Sequence, residues 1–365
     1  MSGDKEQVAT QKLLDLIRGR PGQEPIGERP AAQGTSSWDE GKVILSKEIR
    51  HRSKLGGRVR IGLDLGTKTV KMVKMERTGR GFRLLQVGIA SVSQEVSMVS
   101  GAQQARIEAA KALLSSWKKE PVVTCLGDSS TLIRQISFPR MPPKELERAL
   151  AFEARRHMPY DPARMILRHQ VLSEDKRTGT CEVLLVATGR DSLREHRNVL
   201  EKLGVEPNAI DVTPLALANA SLLGSGSREE TIVVVDLSAT GTVVVVHRVQ
   251  GLFFSRHLPF AVADVAEQGG AEEKEKIGEL AVEVRRSLAY YDNVTGRMGF
   301  SRILAAGGGA MRKEVLSALE RELGLEVEVM DPCDQLEMDP ELAEEGWIRE
   351  TSPLWVQAMA LAMRD

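Results

Sequence analysis

A short phrase occurs twice in this chain, and the repeat constrains the fold more than any other feature. The first copy, IGLDLGTKTVKMVKM, begins at Ile61, and the second, VVVDLSATGTVVVVH, begins at Val233. In each copy an apolar strand ends in an aspartate, Asp64 or Asp236, and a turn of small residues leads into a second apolar strand. Two such units far apart in one chain predict a duplicated α/β core built from two similar halves.

The first half continues as an antiparallel meander followed by a helix. Strands are predicted in VRIGLDLG, TVKMVKMER and FRLLQVGIASV, with glycine turns between them. A helix is predicted at about 103–117, where Ile107, Leu113 and Trp117 form one apolar stripe. The second half repeats this beginning in TIVVVDLSATGTVVVVHRVQGLFFSRHLPF.

A different module lies between the two repeats, at about 122–190. Strands are predicted in VVTCLGDSSTLIRQISF, ILRHQVLSE and TCEVLLVATG, and a helix in PPKELERALAFEARRHMP is bracketed by prolines. The first half is therefore predicted to contain an inserted α/β subdomain. A helix ending at Gly204 and the strand VEPNAIDV follow, and this phrase recurs near the C-terminus as VLSALERELGLEVEVMDP.

The first 57 residues have a different composition. One helix is predicted around VATQKLLDLIRGR, and the run PGQEPIGERPAAQGTSSWDEG has too few apolar residues to repay the entropy cost of ordering. We therefore predict a flexible N-terminal extension over residues 1–57. A solvated leader and a docking arm for a partner are both consistent with its charges.

Composition excludes several classes of protein. The chain has 50 Lys and Arg residues and 51 Asp and Glu residues, a net charge of −1, so no global positive field draws it to nucleic acid or to anionic lipid. Its cysteines, Cys125, Cys181 and Cys333, are too far apart for a CxxC metal or redox site. Neither a membrane-spanning stretch nor a signal peptide is predicted, which favours a cytoplasmic protein without direct membrane insertion.

The first copy of the repeat carries residues suited to a phosphate site. Asp64 can orient a metal-bound water, Gly66 permits close approach of a ligand, and Thr67 and Lys68 offer a hydroxyl donor and a cation. An ordinary hairpin would carry the same residues, so one copy is weak evidence. Two copies in matching places are more specific.

A glycine-rich junction is the third element of this kind. In RILAAGGGAM a predicted strand runs into Gly307, Gly308 and Gly309, and a helix is predicted from about Ala310. The missing side chains at the positive end of a helix leave room for a phosphate or a flat ring. A sharp strand-to-helix connection is the alternative explanation.

Together these motifs resemble those of the actin-like ATPase superfamily, and within it those of the PilM family of type IV pilus assembly proteins. The resemblance covers about Val59 to Asp365, and its most specific part is the insertion with Pro139, Glu153 and Pro159. The similar phrases, in order, are DLGTKTVKMVKM, ISFPRMPPKELERALAFEARRHMPYDP, VLEKLGVEPNAIDVTPLALANA, VVVDLSATGTVVVV, EVRRSLAYYDN, ILAAGGGAM and LGLEVEVMDP.

The resemblance implies an actin-like, ribonuclease H-like duplicated fold with two lobes, at 58–225 and 226–365, whose final helix returns to the first lobe. It also implies ATP and Mg²⁺ in the cleft, with the metal held by Asp64 and Asp236. The residues that it places around the nucleotide are Asp64, Gly66, Thr67 and Lys68 on the first hairpin, Asp236, Gly241 and Thr242 on the second, and Gly307, Gly308 and Gly309 beside the nucleoside.

The resemblance implies protein partners as well. The family binds the N-terminal cytoplasmic tail of a bitopic inner-membrane pilus protein in a groove of the first lobe beside the insertion, and it contacts secretion motor ATPases and the platform protein. Candidate groove residues are Arg140, Glu153, Arg156 and Pro159, although packing and helix capping would explain them equally well. The implied location is the cytoplasm, peripheral to the inner membrane through these partners, and self-association is left open.

Two departures from the family pattern bear on nucleotide binding. Ser238 stands in the second hairpin where the family usually has glycine, and its side chain would either crowd a phosphate or donate a hydrogen bond to it. After HLPFAVADV only AEQGGAEEKEKIGEL precedes the EVRRSLAYY helix, so a shortened helical subdomain is predicted in the second lobe. Its charged residues, among them Glu272, Glu273, Lys274 and Lys276, are predicted to form a solvated turn.

Catalysis has little support in the sequence. Beyond Asp64 and Asp236 no spacing identifies a base for ATP hydrolysis, so a nucleotide-binding scaffold is favoured over an efficient enzyme. The favoured function is an adaptor that couples the pilus protein to the motors, with ATP as a regulator. The alternatives are a small-molecule kinase of the sugar type and a component related to type II secretion.

Overall fold

The computed structural model describes residues 43–49, 58–117, 119–127, 131–157, 162–223, 230–248, 252–262, 270–295 and 299–364. Their strands are β1 (Val43–Leu45), β2 (Val59–Leu65), β3 (Thr69–Thr78), β4 (Gly81–Ser91), β5 (Val122–Leu126), β6 (Leu132–Pro139), β7 (Met165–Asp175), β8 (Thr180–Gly189), β9 (Ala209–Val212), β10 (Ile232–Ser238), β11 (Gly241–Arg248), β12 (Leu252–Leu258), β13 (Arg302–Ala306), β14 (Glu328–Val329) and β15 (Glu337–Met338). Their helices are α1 (Gln94–Ser100), α2 (Ala102–Leu113), α3 (Pro143–His157), α4 (Arg190–Lys202), α5 (Thr213–Ser221), α6 (Gly270–Thr295), α7 (Lys313–Leu323), α8 (Pro340–Ala343), α9 (Trp347–Glu350) and α10 (Val356–Met363).

Two sheets share one plan, which confirms the duplicated core that the repeat predicts. The first has the order β1-β4-β3-β2-β5-β9, with β15 added to β4, and the second has the order β12-β11-β10-β13-β14. In both, the strand that ends in aspartate pairs antiparallel with the next strand of its meander. On its other side it pairs parallel with a strand from later in the chain.

Apolar side chains of the helices cover these sheets. Helices α2 and α4 pack on one face of the first sheet, and α6 and α7 pack on the second sheet. Helices α5 and α10 fill the space between the sheets, where Val123 and Cys125 of the first sheet meet Val234 and Val245 of the second. The two halves are therefore joined by one continuous apolar core.

The final helix, α10, packs against the first sheet. A Cβ added to Gly62 of β2 would lie 1.8 Å from the carbonyl oxygen of Ala358, so only glycine allows this helix to approach the strand so closely. Ala358, Met359 and Ala362 are buried against β3 and β4. The last residues of the chain thus complete the first half of the molecule.

Part of the predicted N-terminal extension belongs to the first sheet. Val43–Leu45 pairs antiparallel with residues 88–90 of β4, and the Ser46 amide donates to the Val87 carbonyl at 2.9 Å. The expectation of a flexible extension is therefore wrong for 43–49, because the apolar residues of VIL pair with an open strand edge. Residues 1–42 and 50–57 lie outside the described residues.

The insertion is a three-stranded sheet, β6-β8-β7, with α3 packed on one face through Phe138, Leu146 and Leu150. It begins later than predicted, since β5 pairs with β2 and belongs to the first sheet. On the other side, the Phe253 amide of β12 donates to Oε1 of Gln135 at 2.8 Å. The insertion therefore contacts the second half of the molecule as well as the first.

The charged residues before EVRRSLAYY form the first turns of α6, so the predicted solvated turn is wrong. Glu272 and Glu273 lie in the first turn, where the helix dipole favours carboxylates, and Glu273 also pairs with Arg312. In the described segments of the chain, no helix is both long enough and apolar enough to cross a membrane.

Candidate nucleotide site

Asp64 lies at the end of β2 and is 8% exposed. The hairpin register places Lys71 of β3 directly opposite it, and the Lys71 Nζ lies 2.8 Å from Asp64 Oδ2. The other carboxylate oxygen, Oδ1, accepts a hydrogen bond from the Gln357 amide of α10 at 3.0 Å. This buried carboxylate is therefore neutralised from its own hairpin and oriented from the last helix of the chain.

Asp236 holds the matching position on β10 and is 5% exposed. Its register partner is Val243, so the second hairpin supplies no cation. Burial raises the pKa of Asp236 to about 6; the Ser238 hydroxyl and the charge of Lys71 lower it in part, and the charge of Asp64 raises it. The pKa of Asp236 is therefore about one unit below neutral pH.

The influence of Lys71 and Asp64 on Asp236 means that the two halves bring their carboxylates within electrostatic reach of each other. Lys71 lies with Asp64 and is the cation of this site. Reasoning from the sequence selected Lys68, whose role stays a prediction, and did not single out Lys71 or Gln357. The hairpin register could have identified Lys71, because it is the residue that pairs with Asp64 across the turn.

Ser238 is the residue that stands in the second hairpin where the family usually has glycine. Its hydroxyl donates to Asp236 Oδ2 at 2.6 Å, so it is directed at a protein carboxylate. An added hydroxyl donor stabilises the ionised form of a buried acid. Ser238 thus offsets part of the desolvation cost that Asp236 bears.

Gly307 requires glycine for two reasons. Its φ of 79° lies in the left-handed region, and a Cβ there would lie 2.7 Å from Asp236 Oδ1 and from the Leu237 carbonyl oxygen. The glycine junction therefore packs directly onto the second hairpin. Gly308 and Gly309 follow in a 3₁₀ turn, Gly308–Met311, and α7 begins at Lys313, slightly later than predicted.

Three of the other predicted glycines also face the protein's own atoms. An added Cβ at Gly66 would meet the Thr69 carbonyl oxygen at 2.5 Å, at Gly241 the His257 ring at 2.6 Å, and at Gly309 the Leu237 Cβ at 2.6 Å. Internal packing therefore explains these positions without a ligand. Their role in nucleotide binding stays a prediction.

The other predicted residues lie at different depths. Thr67 is exposed at the tip of the first hairpin, and Lys68 is half-buried beside it. Thr242 is fully buried, and its hydroxyl donates to the Phe260 carbonyl at 2.9 Å, so it secures the end of β12. Thr67 and Lys68 are therefore the residues of the first turn best placed to meet a ligand.

The chemistry of this residue set fits a magnesium nucleotide. Mg²⁺ is commonly bound through one or two carboxylates together with substrate phosphates, and Asp64 and Asp236 supply two carboxylates close to each other. Lys71 offers a point charge of the kind that pairs with phosphate. Within the described segments no group of three or more His, Cys, Asp and Glu side chains forms a metal centre, so a metal here would depend on ligands from the nucleotide.

Of the predicted groove residues, two have described side chains. Arg140 follows β6, and its guanidinium lies 3.0 Å from Glu174 Oε2 of β7, whereas Glu153 is half-buried on α3. Arg156 lies in α3, and Pro159 is outside the described residues. Phe152 was missed: it is 63% exposed on α3, and its position outside the Leu146 and Leu150 stripe was the available signal.

The core consists of two duplicated sheets joined by α5 and α10. Each sheet contributes one carboxylate hairpin to the site, and this arrangement defines an actin-like α/β fold. A family model described as type IV pilus assembly protein PilM matches residues 62–268 and 276–365. The chain belongs to this family. The interruption at 269–275 falls at the beginning of α6, where the sequence predicts a shortened subdomain.

Several solved structures are similar to this chain. A PilM–PilN type IV pilus biogenesis complex is 24% identical with a TM-score of 0.70, over 84% of this chain and 98% of the other. The ethanolamine utilization protein EutJ from Carboxydothermus hydrogenoformans is 16% identical with a TM-score of 0.47, over 85% and 91%. The cytoplasmic domain of EpsL, from the type II secretion system of Vibrio cholerae, is 14% identical with a TM-score of 0.43, over 80% and 94%. No curated protein sequence matches the chain.

Proposed function

We propose that this protein is an adaptor of type IV pilus assembly that binds the N-terminal cytoplasmic tail of a bitopic inner-membrane pilus protein. Membership of the PilM family is the observation that carries this proposal. A similar solved structure is described as a PilM–PilN complex of type IV pilus biogenesis, which supports a protein partner. The same family membership favours this function over a sugar-type kinase and over a type II secretion component.

The insertion is the proposed binding region for the tail. Arg140 and Glu153 offer polar contacts, and the exposed Phe152 offers an apolar one. An exposed aromatic side chain beside charged residues is typical of a binding surface. Arg156 and Pro159 complete the proposed set.

A fluorescence anisotropy titration tests this role. A labelled peptide with the sequence of the partner's N-terminal tail should bind the full-length protein saturably. Phe152→Ala should weaken that binding by about tenfold or more, as expected for an aromatic anchor, without lowering the melting temperature. Met98→Ala is the matched control, because Met98 is 88% exposed on α1 and lies outside the proposed region.

Failure of the wild-type protein to bind the peptide would contradict the adaptor proposal. Equal weakening by both substitutions would contradict the assignment of the insertion but leave the adaptor role intact. The two results are therefore distinguishable.

We also propose that the cleft binds MgATP. Asp64 and Asp236 would hold the metal, Lys71, Lys68 and Thr67 would meet the phosphates, and Gly307, Gly308 and Gly309 would lie beside the nucleoside. Mg²⁺ would neutralise the phosphate charge that the two carboxylates would otherwise repel. Gly66, Gly241 and Thr242 would shape the hairpins that carry these residues.

A thermal-shift measurement with MgATP tests nucleotide binding. At 100 times Kd a ligand stabilises the native state by about 2.7 kcal/mol, a rise of several degrees for a chain of this size. Thr67→Ala should reduce the shift at a fixed ATP concentration without altering the melting temperature of the free protein. No shift at millimolar MgATP would contradict the proposal.

The proposed adaptor works through binding more than through turnover, since no residue of the site stands out as a base for hydrolysis. In this role it would contact the motor ATPases and the platform protein from the cytoplasmic side, and its partners would hold it at the inner membrane. Co-purification tests that arrangement: the motor should be retained with this protein only when the N-terminal tail of the pilus protein is present.

A further inference from the structure

The outer edge of β4 is covered by two segments from opposite ends of the chain. Residues 43–49, which we call the strap, cover the edge from residue 85 to residue 90. Beyond them, Glu337 and Met338 of β15 pair with residues 83 and 84. The edge that would otherwise be open to strand addition is thus closed mainly by the strap.

Backbone pairing and one hydroxyl fix the register of the strap. Val43, Ile44 and Leu45 pair with Ala90, Ile89 and Gly88. The Val87 amide donates to the Ser46 hydroxyl at 3.0 Å, and the Gln86 amide side chain donates to the Ser46 carbonyl at 3.2 Å. The Ile49 amide then donates to the Leu85 carbonyl at 3.1 Å.

Charge complementarity holds the far end of the strap. Lys74 of β3 is 7% exposed, and its ammonium group lies 2.9 Å from Glu48 and 2.5 Å from Glu120. Lys47 pairs with Glu341 on the opposite, exposed side. The strap thus places the Glu48 carboxylate against the nearly buried ammonium group of Lys74.

The strap is separable from the rest of the fold. The family match begins at residue 62, beyond the strap and the eight connecting residues 50–57. Residues 49 and 58, at the two ends of this connection, lie beside Leu85 and Arg77. Strand spacing places these two ends less than about 20 Å apart. Eight residues can span about 30 Å, so the chain length between residues 49 and 58 does not by itself tie the strap to the edge of its own copy.

We propose that the β4 edge is a strand-addition site whose second occupant is the strap of another copy of this chain. An exchanged strap keeps every backbone pair, the Ser46 contacts and the Glu48–Lys74 ion pair. Exchange of an identical element between copies costs little for this reason. Two copies would then each complete the first sheet of the other, independently of the proposed adaptor role.

Cysteine trapping tests the exchange in full-length protein. Val43 and Ala90 are opposed in a pair without mutual backbone hydrogen bonds, where Cα atoms are about 4.5 Å apart, a separation that a disulfide spans. The variants Val43→Cys and Ala90→Cys are mixed in urea, refolded together by dilution at several protein concentrations, and oxidised. We expect a 43–90 cross-link between chains, identified by peptide mass mapping, with a yield that rises with concentration.

Glu48→Gln in the Val43→Cys chain should lower this yield about tenfold or more, since it removes a charge-assisted hydrogen bond to a buried ammonium group. Glu341→Gln is the matched control and should leave the yield unchanged, because Glu341 pairs at an exposed position. The double variant Val43→Cys/Ala90→Cys should close its bridge within one chain at low concentration.

Three outcomes would overturn the proposal. In the first, the double variant closes but the mixed single variants form no cross-link, so the strap stays in its own chain. In the second, the cross-link forms equally with Glu48→Gln, so it reports collision instead of strap exchange. In the third, even the double variant fails to close, which contradicts the pairing of the strap itself.

Discussion

The two aspartate hairpins begin from nearly the same sequence and end in different electrostatic states. Asp64 faces Lys71 across its hairpin and receives the Gln357 amide from α10. Asp236 faces Val243, and its described hydrogen-bond donor is the Ser238 hydroxyl two residues away. One hairpin therefore holds a compensated charge, and the other holds a carboxyl group whose pKa is raised to about 6 by burial.

This difference shows how a duplicated site becomes asymmetric. Both hairpins share the sequence phrase that forms the strand, the aspartate and the turn. The partners of Asp64 come from other elements: Lys71 pairs with it from the opposite strand, and Gln357 reaches it from the distant helix α10. In this asymmetric pair, Asp64 has an ion-pair partner on its own hairpin, whereas the pKa of Asp236 is raised by burial. A metal or a cationic ligand that enters the cleft would act mainly on Asp236, since Asp64 already has a cation.

Removing the cation of the first hairpin should have the largest effect. Lys71→Met leaves Asp64 buried without its ion-pair partner, and loss of one partner of a buried pair typically costs about 3–5 kcal/mol. We expect the free energy of unfolding, measured by urea denaturation, to fall by an amount in this range.

Lys68→Met is the matched control, because Lys68 lies in the turn of the same hairpin and is half-buried. It should change the free energy of unfolding by about 0.5 kcal/mol or less. An equal loss in both variants would show that Lys71 acts through packing of the turn and not through Asp64.

The second hairpin should respond in the opposite direction. Burial raises the pKa of Asp236 in the folded state from its ordinary value of 3.8 to about 6, which corresponds to about 3 kcal/mol at about 1.36 kcal/mol per pKa unit. Asp236→Asn removes the buried charge and should stabilise the protein at pH 7 by up to this amount. Denaturation at pH 7 and pH 4 checks it, since the gain should vanish at pH 4, where Asp236 is largely protonated in the folded state.

The pH dependence of stability sharpens the same contrast. Asp236 contributes stability that is present below pH 3.8 and is lost as pH rises through 6, because its folded pKa is raised.

His247 is buried and donates from Nε2 to the Ser221 hydroxyl at 2.6 Å, since that hydroxyl donates to the Ala218 carbonyl. Burial lowers its pKa from 6.5 to about 4, so its contribution is present above pH 6.5 and is lost as pH falls towards 4.

These two contributions oppose each other between pH 4 and pH 6. Asp236→Asn should therefore reveal the loss at His247, about 3 kcal/mol on acidification from pH 6.5 to pH 4. Denaturation curves of the variant and the wild type over this range provide the measurement. Identical slopes would show that Asp236 does not titrate in this window.

The smallest effect is expected at Ser238. Ser238→Ala removes the hydroxyl donor of Asp236 and should lower the free energy of unfolding at pH 7 by about 1 kcal/mol. It should also raise the pKa of Asp236 further, which NMR titration of the carboxyl carbon measures. An unchanged pKa would indicate that the hydroxyl bonds elsewhere in solution.

Much of the fold was predictable, and for a specific reason. The meander, the aspartate positions and the proline-bracketed helix of the insertion are local patterns, and local patterns survive into the structure. The two errors have different causes. Val43–Leu45 became a strand because β4, distant in sequence, offers an open edge, whereas residues 272–276 became helix because they continue directly into the rest of α6.

The site was predictable only in part. Asp64 and Asp236 were identified from the repeat, but Lys71 and Gln357 were not, because one depends on strand register and the other on the return of α10. At Gly66, Gly241, Gly307 and Gly309 an added Cβ would meet the protein's own atoms. No sequence pattern distinguishes such internal contact from contact with a ligand, so the role of these glycines in nucleotide binding stays a prediction.

The sequence by itself determined the duplicated core, the inserted subdomain and the two carboxylates at strand ends, because hydrophobic period and turn chemistry act over a few residues. Only the tertiary structure decided how Asp64 is surrounded: Lys71 pairs with it across the hairpin, and the Gln357 amide reaches it from α10, near the other end of the chain. It also decided that the strap closes the first sheet. Burial and pairing of charges depend on what surrounds a residue in space, and that surrounding exists only once the chain has folded.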